Sequence, residues 1–272
     1  MQELIKQALD EDAVYCDRTC MAVLPQNQLG QAVVTAKANG TLSGIDAAKA
    51  VFRCMDEDIH QQWQAGNGDH VSAGQIICEL AGSMASLLAA ERTALNFLQH
   101  LSGIATATHA FVKAVAGTGC QIADTRKTTP GLRKLEKQAV RHGGGINHRM
   151  DLASGMLIKE NHIEAAGSIT EAIDACEKLQ SDLWIEVECE TLDEVQETVL
   201  LCPDMILLDN MSIETVREAR KIVPKSITLE ASGGITLENV RAYAETGVDR
   251  LAIGAITHSA AALDLSMRID AG

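Results

Sequence analysis

Aromatic side chains are scarce: they make up 3% of the 272 residues. A core of stacked rings is therefore excluded, and Leu, Ile, Val, Ala and Met must supply the buried surface. Positive charge is short as well, with 23 Lys and Arg against 37 Asp and Glu and a net charge of −14. That balance argues against a general nucleic-acid binder, which needs a basic face. No apolar run approaches the length of a membrane span, so no membrane partner is expected. The opening stretch MQELIKQALDEDAVYCD is too acidic and too polar for an export signal. The eight cysteines contain no CxxC pair, and Cys16 with Cys20 has no downstream Cys or His pair at zinc-finger spacing. Scattered, reduced and mostly buried thiols in a cytoplasmic protein are the expectation.

What the chain does have is a basic island. Between Arg126 and Arg149 lie seven Lys or Arg (Arg126, Lys127, Arg133, Lys134, Lys137, Arg141, Arg149) and one acid, Glu136. Such density in an acidic chain calls for a small, highly anionic ligand, because Arg and Lys neutralise carboxylates and phosphates. Arg133, Lys134, Lys137 and Arg141 stand at near-helical spacing and read mainly as a solvated helix face. Of these, Arg133 and Lys134 are the two that could join a site.

The second half alternates short apolar runs with stretches of helical period. The runs are GMLIK, LWIEVE, DMILLD, SITLEA and DRLAIG. The stretches between them open on Ser or Thr with an acid in the first turn, the capping signature of a helix start. Lys159, Glu188, Asp209 and Glu230 close successive runs at intervals of 29, 21 and 21 residues, the size of a βα unit. Strands alternating with helices imply a parallel sheet. Charged residues closing apolar strands suit the mouth of a βα barrel, where ligands meet the carboxyl ends of strands. The fold class is α/β: an open or incomplete βα barrel with a smaller N-terminal α+β domain. The domains are expected at 1–102 and 103–257, with 258–272 a helix that packs on the first module. An open doubly wound sheet is the alternative.

Several strings, taken in order, carry a resemblance. They are ERTALNFLQHLSGIAT, DTRKTTPGLR, GGGINHR, LIKENHI, IEVE, LLDN, EASGGI and TGVDRLAIGAITHSAAALDLSMR. Together they resemble the quinolinate phosphoribosyltransferase family over nearly the whole chain. The resemblance implies transfer of a phosphoribosyl group from phosphoribosyl pyrophosphate to quinolinate with loss of carbon dioxide. The product would be nicotinate mononucleotide, for NAD synthesis. It implies magnesium as cofactor, and a homodimer or dimer-based oligomer.

The resemblance places Thr125, Arg126, Lys127, His148, Arg149 and Lys159 around the substrates, with Lys127, Lys159, Glu188 and Asp209 catalytic. Glu188 and Asp209 would hold the metal, since magnesium prefers one or two carboxylates plus water and phosphate oxygens. Ser232, Gly233, Gly234, Gly254 and Ala255 follow the last two strands, where barrels of this kind bind phosphate. Arg92 would enter the neighbouring subunit's site. Glu186 is expected on the other face of its strand, away from the site. Gly143–Gly145 are expected where backbone must pass close to something. The stretch Met150-Asp151-Leu152-Ala153-Ser154 departs from the family's usual Gly-Leu and Asp after the His-Arg pair. A phosphoribosyltransferase acting on nicotinate, a barrel tied to molybdenum transport and a non-catalytic phosphate sensor are the rival readings.

Overall fold

The computed structural model describes residues 1–179 and 181–270. It divides into two compact units: Met1–Ala107 with Gln138–Gly144 and Ala260–Gly272, and Thr108–Lys137 with Gly145–Ser259.

The first unit contains α1 (Gln2–Glu11), α2 (Arg18–Val23), β1 (Leu29–Ala36), β2 (Gly40–Thr41), α3 (Ile45–Met55), β3 (His60–Trp63), β4 (His70–Val71) and β5 (Ile76–Ser83). Helix α4 (Met84–Ala114) follows. It runs unbroken through Ser102 and Gly103, and its last turns belong to the second unit.

The chain then alternates strand and helix: β6 (Gln121–Ala123), α5 (Arg133–His142, whose residues from Gln138 onward belong to the first unit), β7 (Met156–Ile158), α6 (Glu160–Ala166), α7 (Ile169–Glu177), β8 (Ile185–Cys189) and α8 (Leu192–Leu200). It continues with β9 (Met205–Asp209), α9 (Ile213–Ile222), β10 (Thr228–Ser232), α10 (Val240–Ala244), β11 (Arg250–Ala252) and α11 (Ala255–His258). The six strands pair in the order β6-β11-β10-β9-β8-β7, all in parallel. β6 and β7 are the two edges, so the barrel is open. A lone parallel bridge from Ala123 to Ile146 extends the β6 edge by one segment.

The capping residues act where the pattern put them. Ser168, Thr191 and Ser212 accept the backbone N–H of Glu171, Glu194 and Thr215, starting α7, α8 and α9. The fourth stretch differs. Thr236 donates its N–H to Asn239, and the helix begins only at Val240.

The chain's last segment corrects the sequence expectation. Residues Leu265–Asp270 form a strand, β12, antiparallel to β1, not a helix. The run of alanines suggested a helix, but Leu263, Leu265 and Met267 are buried at period two, which is a strand's pattern. β12 completes a four-stranded sheet, β12-β1-β5-β3. Gly103 makes room for the approach to it. A Cβ there would lie 2.2 Å from the Ala261 carbonyl oxygen, and nearby Gln99 accepts from Leu263 and donates to Leu265. Gly143 and Gly144 follow α5. Gly143 and Gly144 donate to Ala139 and Arg141, and Gly144 has a φ of 89°. They terminate α5 as a left-handed C-terminal turn.

Candidate functional site

The site lies at the carboxyl ends of the strands of the second unit. Glu188 is the fourth residue of β8, and Asp209 and Ser232 end β9 and β10. Lys159 follows β7 and Thr125-Arg126-Lys127 follow β6. A cavity of about 370 Å³ is lined by Thr125, Arg126, Lys127, His148, Arg149, Lys159, Glu188, Asp209, Glu230 and Ser232, with Leu157, Leu207 and Ala252. That is the size of a small-molecule pocket. Gly233, Gly234, Gly254 and Ala255 flank this wall without lining it, and Arg92 sits elsewhere, on α4 of the first unit.

The basic loop after β6 is braced from both sides. Thr125 Oγ1 accepts the N–H of Lys127 at 3.0 Å. The Lys127 carbonyl accepts from Thr257 at 2.8 Å. Arg133 donates to Thr128 Oγ1 and to the carbonyls of Arg126 and Met150, and Glu136 accepts from Thr129 N–H. Arg133 is thus a strut for the loop, and neither it nor Lys134 lines the cavity. Lys134 and Arg141 are exposed.

Lys137 is a correction to the solvated-face reading. It is buried, and its ammonium pairs with Asp124 and donates to the His148 carbonyl at 3.0 Å. Asp124 also accepts from Asn147 Nδ2 at 2.6 Å and from the His148 N–H at 2.9 Å. This buried acid fixes the backbone of the Asn147-His148-Arg149 segment. Burial raises the Asp124 carboxyl and lowers the Lys137 amine from their ordinary values, and their mutual attraction opposes both shifts. α5 carries an apolar stripe, and nothing local distinguishes Lys137 from its solvated neighbours.

Glu186 is a second correction. Residues two apart in a strand share a face, so Glu186 and Glu188 project to the same side in successive layers. Glu186 lies deeper, buried, with Oε2 at 2.9 Å from His148 Nε2. Glu230 Oε1 is 3.6 Å from the same nitrogen. One oxygen of Glu186 and both of Glu230 make no hydrogen bond among the described residues. Burial, then the charge of Glu186, pushes the Glu230 carboxyl well above its ordinary value. His148 Nδ1 accepts the Arg149 N–H at 2.7 Å, so the proton shared with Glu186 sits on Nε2. Both ring nitrogens are thereby engaged within the protein.

Arg149 donates to the Gly155 carbonyl at 2.9 Å. Burial, then nearby Arg126, lowers the pKa of its guanidinium. Lys159 pairs with Glu188, and its N–H donates to His162 Nδ1 at 3.0 Å, so His162 caps the start of α6. Asp209 accepts from Asn210 at 2.6 Å. Within the departing stretch, Asp151 accepts from Ser154 Oγ and from Ala153 N–H. Its charge is held in a local turn.

Arg126, Lys127, Arg149 and Lys159, from three segments, line one small cavity together with the carboxylates of Glu188, Asp209 and Glu230 at the mouth of a parallel barrel. This defines the class as a barrel protein built for polyanionic ligands. The comparisons identify the family. Residues 104–268 match the quinolinate phosphoribosyl transferase C-terminal domain, and residues 14–102 match its N-terminal domain. The probable nicotinate-nucleotide pyrophosphorylase [carboxylating] of Bacillus subtilis is 42% identical over 270 residues, covering 99% of this chain and 93% of that protein. The Mycobacterium leprae nicotinate-nucleotide pyrophosphorylase [carboxylating] is 40% identical, over 98% of this chain and 96% of its own length. The crystal structure of the nicotinate-nucleotide pyrophosphorylase from Ehrlichia chaffeensis superposes with a TM-score of 0.95 at 39% identity, covering 99% of this chain and 98% of that one. The chain belongs to the quinolinate phosphoribosyltransferase family.

Proposed function

We infer that the chain transfers the phosphoribosyl group of phosphoribosyl pyrophosphate to quinolinate and releases carbon dioxide. The products are nicotinate mononucleotide, for NAD synthesis, and pyrophosphate. The observation that carries this reading is the convergence of Arg126, Lys127, Arg149 and Lys159 on the cavity that Glu188 and Asp209 also line. Two polyanions brought into one pocket would be prohibitive without such compensation.

Arg126 and Arg149 suit the two carboxylates of quinolinate by bidentate contact, while Lys127 and Lys159 act as point charges on the pyrophosphate side. His148 adds a wall to the pyridine pocket and its engaged nitrogens keep that wall fixed. The 5′-phosphate is assigned to the turns after β10 and β11, at Ser232, Gly233, Gly234, Gly254 and Ala255. The bond from the ring nitrogen to C1 of the ribose forms as the C1–pyrophosphate bond breaks. The pyridinium then accepts the electron pair left by the departing adjacent carboxylate, and a proton replaces that group on the ring. Positioning and charge compensation by the cavity are the protein's contribution.

Glu188 and Asp209 fit a magnesium ion: two carboxylates at the ends of adjacent strands leave places for phosphate oxygens. Magnesium bound there would neutralise charge on the leaving pyrophosphate. Lys159 pairs with Glu188.

Arg92 is 60% exposed and lies 3.7 Å from Glu91. We assign it to the site of a neighbouring subunit, which makes the working unit a homodimer or a dimer-based oligomer. The eight cysteines are all free thiols, which supports a cytoplasmic enzyme. Among the described residues no helix is long and apolar enough to cross a membrane.

The test is an assay of the purified protein with quinolinate and, separately, with nicotinate, following carbon dioxide and mononucleotide. Product from quinolinate alone, one carbon dioxide per nucleotide, is expected. Turnover of nicotinate without quinolinate activity would replace this reading with its nearest rival.

A further inference from the structure

Trp184 is absent from the cavity wall, yet it meets His148 and packs on Gly155, whose carbonyl accepts from Arg149, and the proposed function sets both His148 and Arg149 around quinolinate. It precedes β8 as Gly155 precedes β7, and the Met156 N–H donates to the Trp184 carbonyl at 3.0 Å. The indole fills the space a side chain at 155 would take. A Cβ on Gly155 would lie 2.3 Å from Trp184 Cζ2 and 2.4 Å from Cε2, closer than any real contact. The indole therefore lies directly on the backbone whose carbonyl receives Arg149 Nη1 at 2.9 Å. The same indole meets the His148 imidazole edge-on, with centroids 5.5 Å apart and planes at 81°. Aromatic pairs prefer this geometry. Glu186 and the Arg149 N–H hold the two ring nitrogens of His148, and Trp184 packs against an edge of the same ring.

We propose that Trp184 and Gly155 act together as positioning residues for His148 and Arg149, setting how well the site holds a pyridine dicarboxylate. The inference rests on the reading that His148 and Arg149 face quinolinate. Gly155 is glycine because Trp184 occupies its side-chain space. The pair is a matched large and small residue across the parallel β7–β8 edge.

The test is steady-state kinetics on Trp184→Leu, Trp184→Phe and Gly155→Ala, varying quinolinate and phosphoribosyl pyrophosphate in turn, with melting temperatures alongside. Loss of ground-state positioning for one substrate raises that substrate's KM alone, and we expect about a tenfold rise for quinolinate in Trp184→Leu and Gly155→Ala. The KM for phosphoribosyl pyrophosphate should stay within about twofold of wild type in every variant. Trp184→Phe keeps an aromatic edge against His148 and should stay within about threefold for quinolinate. An unchanged quinolinate KM in Trp184→Leu, or equal rises for both substrates, overturns the proposal. If Trp184→Leu does not fold, Gly155→Ala decides by the same criterion. A wild-type protein inert toward quinolinate would sink the functional reading itself, and this inference with it.

Discussion

Asp124 and Lys137, thirteen residues apart in the chain, meet as a buried ion pair whose side chains are 0% and 1% exposed. The pair lies behind the cavity and fixes the segment that carries His148 and Arg149. Burial opposes the charge on each partner, so each depends on the other. Removing one leaves the second charged and uncompensated.

Lys137→Met should therefore destabilise the barrel unit by about 3–5 kcal/mol, the usual cost of breaking a buried pair from one side. Asp124→Asn in the same chain should recover much of that loss. Chemical denaturation of both variants checks this, and a Lys137→Met midpoint equal to wild type would refute the pairing.

Lys127 and Lys159 line the cavity without serving the core. Lys127→Ala or Lys159→Ala should lower kcat/KM by about 10²–10³, as expected for one well-placed charge contact, with little change in melting temperature. Near-normal turnover in either variant would count against the assignment of the cavity.

Arg92 belongs to the first unit and is open to solvent. Arg92→Ala and Lys159→Ala should each be nearly inactive alone, and mixing them should restore part of the activity through hybrid dimers. Hybrids that form but stay inactive would show that Arg92 does not act across subunits.

Glu230 gives a pH dependence. Burial and the Glu186 charge raise its carboxyl well above the ordinary value of 4.5 in the folded protein, while Arg250 acts the other way. A raised folded value means stability that is fully present below 4.5 and lost as pH climbs through the folded value. Glu230→Gln removes that loss. The melting temperature of the variant relative to wild type should therefore rise as pH increases from 4.5 through the folded value, by roughly 4–8 °C per kcal/mol in a small domain and less in a larger one. A difference that does not change with pH would contradict the shift.

The sequence by itself determined the βα rhythm, the Ser and Thr that start α7, α8 and α9, and the charged residues that end the strands at the cavity. These are local facts: periodicity and capping depend on neighbours within a turn or two. The tertiary structure alone decided depth and partnership. Lys137 and Arg141 stand four apart in one helix, and only packing puts the first in the core and leaves the second in solvent. Leu265–Asp270 became a strand, with Leu265 and Met267 turned inward, because β1 offered an edge beside it. Trp184 and Gly155, twenty-nine residues apart, touch because β7 and β8 pair in parallel with Met156 beside Ile185. Register between distant strands is set by the whole sheet at once, and no window of sequence contains it.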